Sequence, residues 1–253
     1  MGVTNVARAY GWKRGLPDKH TPMLQLAAAA VAPRSDQRPG FPQVPYDQGS
    51  LGSCTANGGA GAIAFDLKKQ GLPVFVPSRL AIYYNERAKD GDIGTDAGST
   101  ITQCSDVLAQ YGAADEQRWP YIESKFQQRP PKSVYTQALK HRASKRARVA
   151  QTHTAIRATL SAGYPIIFGF TVYESFESSE VAASGLVPMP SSSEGVLGGH
   201  CVLLCGHNDS AELYTVRNSW GTGWGEQGYC YMPYEYIEDP DLASDFAVIQ
   251  VVT

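Results

Sequence analysis

Gln48-Gly49-Ser50-Leu51-Gly52-Ser53-Cys54-Thr55-Ala56 decides how this chain is read, because it closes an extended lead-in and opens a helical pattern with a cysteine in its first turn. Ala56, Ala60, Ile63 and Leu67 recur at i, i+4, i+7 and i+11; Lys68 and Lys69 stand in the last turn, Gly71 supplies the stop and Pro73 lies beyond it. The unpaired N–H groups and positive dipole end of a first helical turn favour an anion, so Cys54 is placed to ionise more readily than a free thiol. Gly58, Gly59 and Gly61 cost the helix roughly 2–3 kcal/mol against alanine. A helix tolerates this where another element packs on its backbone, so the pattern predicts a buried central helix with the thiol at its tip.

Outward from this stretch, prolines 39, 42 and 45 force an extended approach. After Pro77-Ser78, Leu80, Tyr83, Tyr84 and Arg87 predict a second helix; a glycine- and aspartate-rich loop from Asp90 to Ser99 follows. Cys104, Val107, Leu108 and Tyr111, closed by Gly112, predict a third helix. Beyond Arg118-Trp119-Pro120-Tyr121 the character changes to short β-type runs at 145–152, 165–172, 200–205, 214–217 and 228–232. A helical half followed by a sheet half implies an α+β fold of two lobes, about 48–121 and 122–253, with a cleft between them where concave sites form. Residues 1–34, with Trp12, Pro17, Pro22, Pro33 and an alanine run, have no sustained periodicity and read as an extended segment lying on the domain.

With 43 % apolar and 10 % aromatic residues the 253-residue chain has the material for a real core. A net charge of −2 provides no field for nucleic acid or anionic lipid, and the basic run Lys140 to Arg148 reads as a solvated face. The five cysteines, 54, 104, 201, 205 and 230, form no C-x-x-C pair, so reduced thiols are expected and neither metal nor cofactor is signalled. The apolar run Leu24 to Ala32 is far below the roughly 20 residues of a membrane span. It also starts late for a signal peptide, although Ala30-Val31-Ala32 has the form of a cleavage site. The compartment stays unassigned.

A thiolate needs a basic partner. Of His20, His141, His153, His200 and His207, only His200 follows Gly198-Gly199 and opens an apolar run, Cys201 to Cys205, at the mouth of a buried strand. Strand alternation puts His207 on the opposite face from His200, and Cys201 and Cys205 also face away from it, roughly 13 Å apart and unable to pair. Zinc binding by Cys201, Cys205 and His207 would require the strand to break. The third signal is Asn218-Ser219-Trp220-Gly221-Thr222-Gly223-Trp224-Gly225-Glu226-Gln227-Gly228-Tyr229, whose glycines and tryptophans are too regularly spaced for a generic loop.

These motifs, from about Ser35 onward, resemble papain-family cysteine peptidases, and the departures at Leu51 and Thr55 resemble a bacterial branch of that family that includes xylellain. Gln48, Cys54, His200 and Asn218 match that family's oxyanion glutamine, nucleophile, general base and orienting asparagine in the same order, and the Asn218 block departs from it mainly at Gln227. Leu51 stands where secreted members carry a disulfide cysteine, and Thr55 replaces the usual aromatic. The resemblance implies a helical lobe and a β-barrel-like lobe, and hydrolysis of extended peptides. Backbone contacts to the peptide would come from Gly98 and Ser99, and the pocket for the second residue before the scissile bond from Ile101, Gly169 and Cys201, with Ser244-Asp245 as its floor. Trp220 would shield the Asn218 bond and Trp224 edge the primed side. It also implies a monomer whose residues 1–34 act as an intramolecular inhibitor, part of Gly11 to Ala32 lying over Cys54 and His200 until removal near Ala32 to Gln37. Transglutaminases and cell-wall amidases share Cys-His chemistry, but they commonly carry an aspartate or another polar group where Asn218 stands; an inactive binding protein would not need the full set.

Overall fold

The computed structural model describes residues 8–16, 20–26 and 31–250; Pro17 and the alanines at 27–30 lie outside the described residues. Helix α1, Cys54–Lys69, is buried without a break from Cys54 to Leu67. Its three glycines let the side chains of Cys201, Cys104 and Leu203 press on its backbone, which is the packing their low propensity implied. Helix α2, Arg79–Asp90, is capped by the Ser78 hydroxyl, which accepts from Ala81 N at 3.3 Å, and it ends on left-handed Gly91. Helix α3, Ile101–Gln110, is capped in the same way by Thr100. Helices α4, Lys132–Ala138, α5, His153–Ser161, α6, Ser179–Ser184, and α7, Tyr234–Glu238, are shorter.

The strands are β1, Arg34–Asp36, β2, Lys145–Arg148, β3, Ile166–Tyr173, β4, Val196–Asn208, β5, Leu213–Arg217, β6, Tyr229–Pro233, and β7, Ala243–Gln250. They form one antiparallel sheet in the order β2-β7-β3-β4-β5-β6, with β1 also pairing β4. One face, with Ile167, Cys201 and Leu203, packs on Ile63, Leu67, Tyr83 and Leu108 of the helices. The other face, with Phe168, Phe170, Val202 and Leu204, closes a second core around Tyr214, Tyr236 and Trp220. All five cysteines are buried and free.

Three features differ from the expectations. The helical lobe runs past Tyr121: Val134 and Ala138 of α4 pack with Ala81 and Ala114, and Ala143 N donates to Leu108 O at 3.1 Å, so the lobes part near Ser144. His207 faces the same way as His200, since it lies opposite Tyr214 while His200 lies opposite Phe170, both in the second core. The cause is a β-bulge between Leu204 and Gly206, whose extra residue inverts the alternation. Pro33 and Arg34 already join the domain that was read as starting at Ser35: Pro33 O accepts from Asp209 N, and Arg34 pairs with Asn208.

Candidate active site

The cleft lies where the first turn of α1 meets the mouth of β4. Cys54 and His200 are both fully buried there. His200 Nε2 is 2.8 Å from Asn218 Oδ1, which also accepts from Ser219 N at 2.8 Å, so the amide is aimed by its own loop. Trp220 stacks on the imidazole, ring centroids 5.0 Å apart at 26°, and keeps water from that bond. Trp224 sits edge-on to Trp220 at 5.1 Å and is itself buried. Gln48 is fully buried; its Oε1 accepts from the Ser219 hydroxyl at 2.7 Å, and its Nε2 donates to Leu51 O at 2.9 Å and to Ala9 O at 3.2 Å. The loop around Gly52 is pinned by Asp96, which accepts from Gly52 N.

The carbonyl of Ala9 belongs to a segment that fills the cleft. Arg8 stacks on Trp220, and Tyr10 turns its ring edge-on to His200 at 6.3 Å. Gly11 O accepts from Ser99 N at 2.7 Å, Lys13 N donates to Ser99 O at 2.9 Å, and Trp12 N donates to Gly199 O at 3.0 Å. Trp12 and Ser99 thereby pair in parallel. Gly98, expected beside Ser99 as a backbone partner, has its N–H committed to the Tyr83 hydroxyl. The Trp12 indole lies flat against Gly169, where a Cβ would come within 1.9 Å of it, and shares a core cluster with Ile101 and Cys201. Its Nε1 donates to Asp245 Oδ2 at 3.2 Å, which also accepts from Gly15 N at 2.8 Å. Asp245 adopts a left-handed φ of 63° and points its carboxylate inward.

This burial decides the charge state. Desolvation pushes the Cys54 thiol up to about 12, against the pull of backbone groups at Cys201 and Gly11. It pushes His200 down to about 4, against the Asn218 bond. While the segment is in place, loss of water therefore works against the thiolate that the helix terminus favours. Ser219, Tyr10 and Asp96 were not singled out from the sequence. Ser219 stands inside the quoted Asn218 motif, but nothing local marks Tyr10 or Asp96.

A family model described as papain family cysteine protease matches residues 33–247. An uncharacterized peptidase C1-like protein of Acanthamoeba polyphaga mimivirus is 38 % identical across all of this chain and 90 % of its own length. A cathepsin B-like protein of Giardia intestinalis is 29 % identical over 75 % of this chain, which spans 63 % of that protein. Among solved structures, xylellain, a cysteine protease from Xylella fastidiosa, superposes with a TM-score of 0.92 at 36 % identity, covering 97 % of each chain. Digestive procathepsin L 3 of Tenebrio molitor shares the fold, with a TM-score of 0.74 at 19 % identity over 97 % of this chain and 76 % of its own.

Proposed function

Because this chain belongs to the papain family of cysteine proteases, we propose that it is an endopeptidase kept latent by its own N-terminal segment, residues 1–34 as read from the sequence and ending before Pro33 where the sheet begins. In the open enzyme the Cys54 thiolate and His200 imidazolium form an ion pair, with Asn218 fixing the ring. The Cys54 sulfur attacks the peptide carbonyl carbon. Gln48 Nε2 and the Cys54 backbone N–H donate to the oxyanion, each donor worth roughly 3 kcal/mol. His200 gives its proton to the leaving amine as the C–N bond breaks, then takes one from the water that attacks the thioester and restores the thiolate. Ser99 offers both backbone groups to an extended substrate. Ile101, Gly169 and Cys201, with Asp245 as floor, take its second residue.

The observation that carries this reading is the direction of the segment. A substrate places the residue for that pocket before the scissile bond. Here the occupant, Trp12, comes three residues after Ala9, whose carbonyl occupies Gln48 Nε2. Between Ala9 and Trp12 the segment thus uses the peptide-binding groups backwards. The test compares the full chain with a form beginning at Ala32, which keeps β1, on one peptide substrate. The shortened form is expected to be at least ~100-fold more active, in line with a buried tryptophan anchor, and its Cys54→Ala version inactive. Equal activity would overturn the latency, and activity retained in Cys54→Ala would overturn the nucleophile.

A further inference from the structure

Next to the nucleophile lies a carboxyl group that this chemistry leaves unused. Glu86 of α2 is fully buried, and its Oε2 accepts a 2.8 Å hydrogen bond from the hydroxyl of Thr55, the residue after Cys54. No cation is hydrogen-bonded to it, since the neighbouring Arg87 guanidinium is turned to the carbonyls of Ile93, Thr95 and Phe126. Glu86 Oε1 has no hydrogen-bond partner among the described residues. The groups that face the carboxyl are Cys54 and Thr55 from α1, Cys104 from α3, Arg87 and Asp90 from α2, and Cys201 from β4. Cys104 Sγ itself donates to Thr55 O at 3.3 Å, so α2 and α3 both grip the first turn of α1 at Thr55.

A fully buried carboxylate with no paired cation is costly, whereas a neutral acid in the same place is not. Burial pushes Glu86 up to about 7, and when ionised its charge raises the Cys54 thiol. Such coupling is mutual: a thiolate at Cys54 keeps Glu86 protonated, and an ionised Glu86 opposes the thiolate.

We propose that Glu86 is a positioning residue that acts through Thr55: as a neutral acid it holds the nucleophile's turn and permits the Cys54 thiolate, and on losing its proton it closes the alkaline side of the enzyme's working range. This rests on Cys54 being the nucleophile. The hydroxyl at position 55, where the resembled family has an aromatic, donates the hydrogen bond that ties the buried carboxyl to the nucleophile's turn.

Two measurements on the full chain test it. In the infrared spectrum at pH 6, wild type should show a protonated-carboxyl carbonyl band that Glu86→Gln lacks; identical spectra would mean an ionised Glu86 and overturn the proposal. The pH profile of kcat/KM is then compared in chains that all carry Trp12→Ala to loosen the segment. The ratio of Glu86→Gln to its parent should climb from near one at pH 5 to on the order of fivefold at pH 8, the scale of one nearby buried charge. The same factor at every pH would indicate a merely structural side chain and overturn it. Thr55→Val, which keeps the shape and removes the donor, should move the parent's near-neutral inflection to higher pH, and an unmoved inflection would also overturn it. A Trp12→Ala chain inactive at every pH would count against the nucleophile or its guard, while the infrared band would still decide whether Glu86 is protonated.

Discussion

Residues 8–16 and 20–26 of the N-terminal segment are both extended and both pair in parallel with the domain, yet they hold it in different ways. At the cleft, Trp12 pairs with Ser99, fills a pocket with its indole and bonds a half-buried carboxylate, while Ala9 takes a side-chain donor. At the sheet edge, Leu24 N donates to Arg148 O at 2.7 Å and Arg148 N to Pro22 O at 2.8 Å, a single bridge against the end of β2. Met23 there stays 36 % exposed beside open cavities, whereas Trp12 is 9 % exposed. Backbone pairing alone tethers, because any extended chain can make it; the pocket and its carboxylate make a latch, because they accept few side chains.

The comparison is broken most severely at Trp12. Trp12→Ala should cost the closed state ~3–5 kcal/mol and raise full-chain peptidase activity by at least ~100-fold; an unchanged rate would make the latch no stronger than the tether. Alkali comes next. The closed site keeps its proton on Cys54, whose thiol burial pushes up to about 12, whereas the opened ion pair loses its proton once the His200 imidazolium is neutralised. The closed state therefore loses stability as pH rises from the pKa of that imidazolium toward about 12. The Trp12 side-chain resonances should move toward their released positions as pH rises through that range, and resonances unmoved on the alkaline side would contradict it.

Asp245→Asn keeps the size of the pocket floor and removes its charge. It should loosen the latch by ~2 kcal/mol, and in the shortened enzyme it should abolish any preference for arginine over leucine as the second substrate residue in a peptide library. An unchanged library profile would show that the carboxylate does not read substrates. Leu24→Pro deletes one edge hydrogen bond, worth ~1 kcal/mol, and should raise full-chain activity less than tenfold. A rise matching Trp12→Ala would reverse the ranking of the two anchors.

The same contrast between specific and generic contacts explains what the sequence disclosed. Helices α1, α2 and α3 were legible because apolar spacing agrees with a local stop or start signal, Gly71 for α1, Ser78 for α2 and Gly112 for α3, and the Asn218 motif located its loop by its own spacing. Strand β7 was not among the expected strands: left-handed Asp245 and a register shift against β3 interrupt its alternation. Helix α5 offers only Ile156 and Leu160 behind its Thr152 cap, too short a pattern to stand out. The bulge at Cys205 is hidden in an unbroken apolar run, which is why His207 was assigned to the wrong face. Glu86 reads as an ordinary helical surface acid, and only Thr55 and Cys104, distant in sequence, bury it. Gln48 and His200 were legible as residues, whereas their occupation by Ala9 and Tyr10 depended on where an irregular segment comes to lie.

The most direct test of a guarded nucleophile is to treat the full chain and the form beginning at Ala32 with a thiol-reactive epoxide at neutral pH and map the adduct by mass. The shortened form should be labelled at Cys54 alone, ahead of Cys104, Cys201, Cys205 and Cys230, whose thiols burial pushes up in pKa. The full chain should remain unlabelled over the same time. Labelling of Cys54 at the same rate in both forms, or labelling first at another cysteine once the segment is gone, would contradict the account.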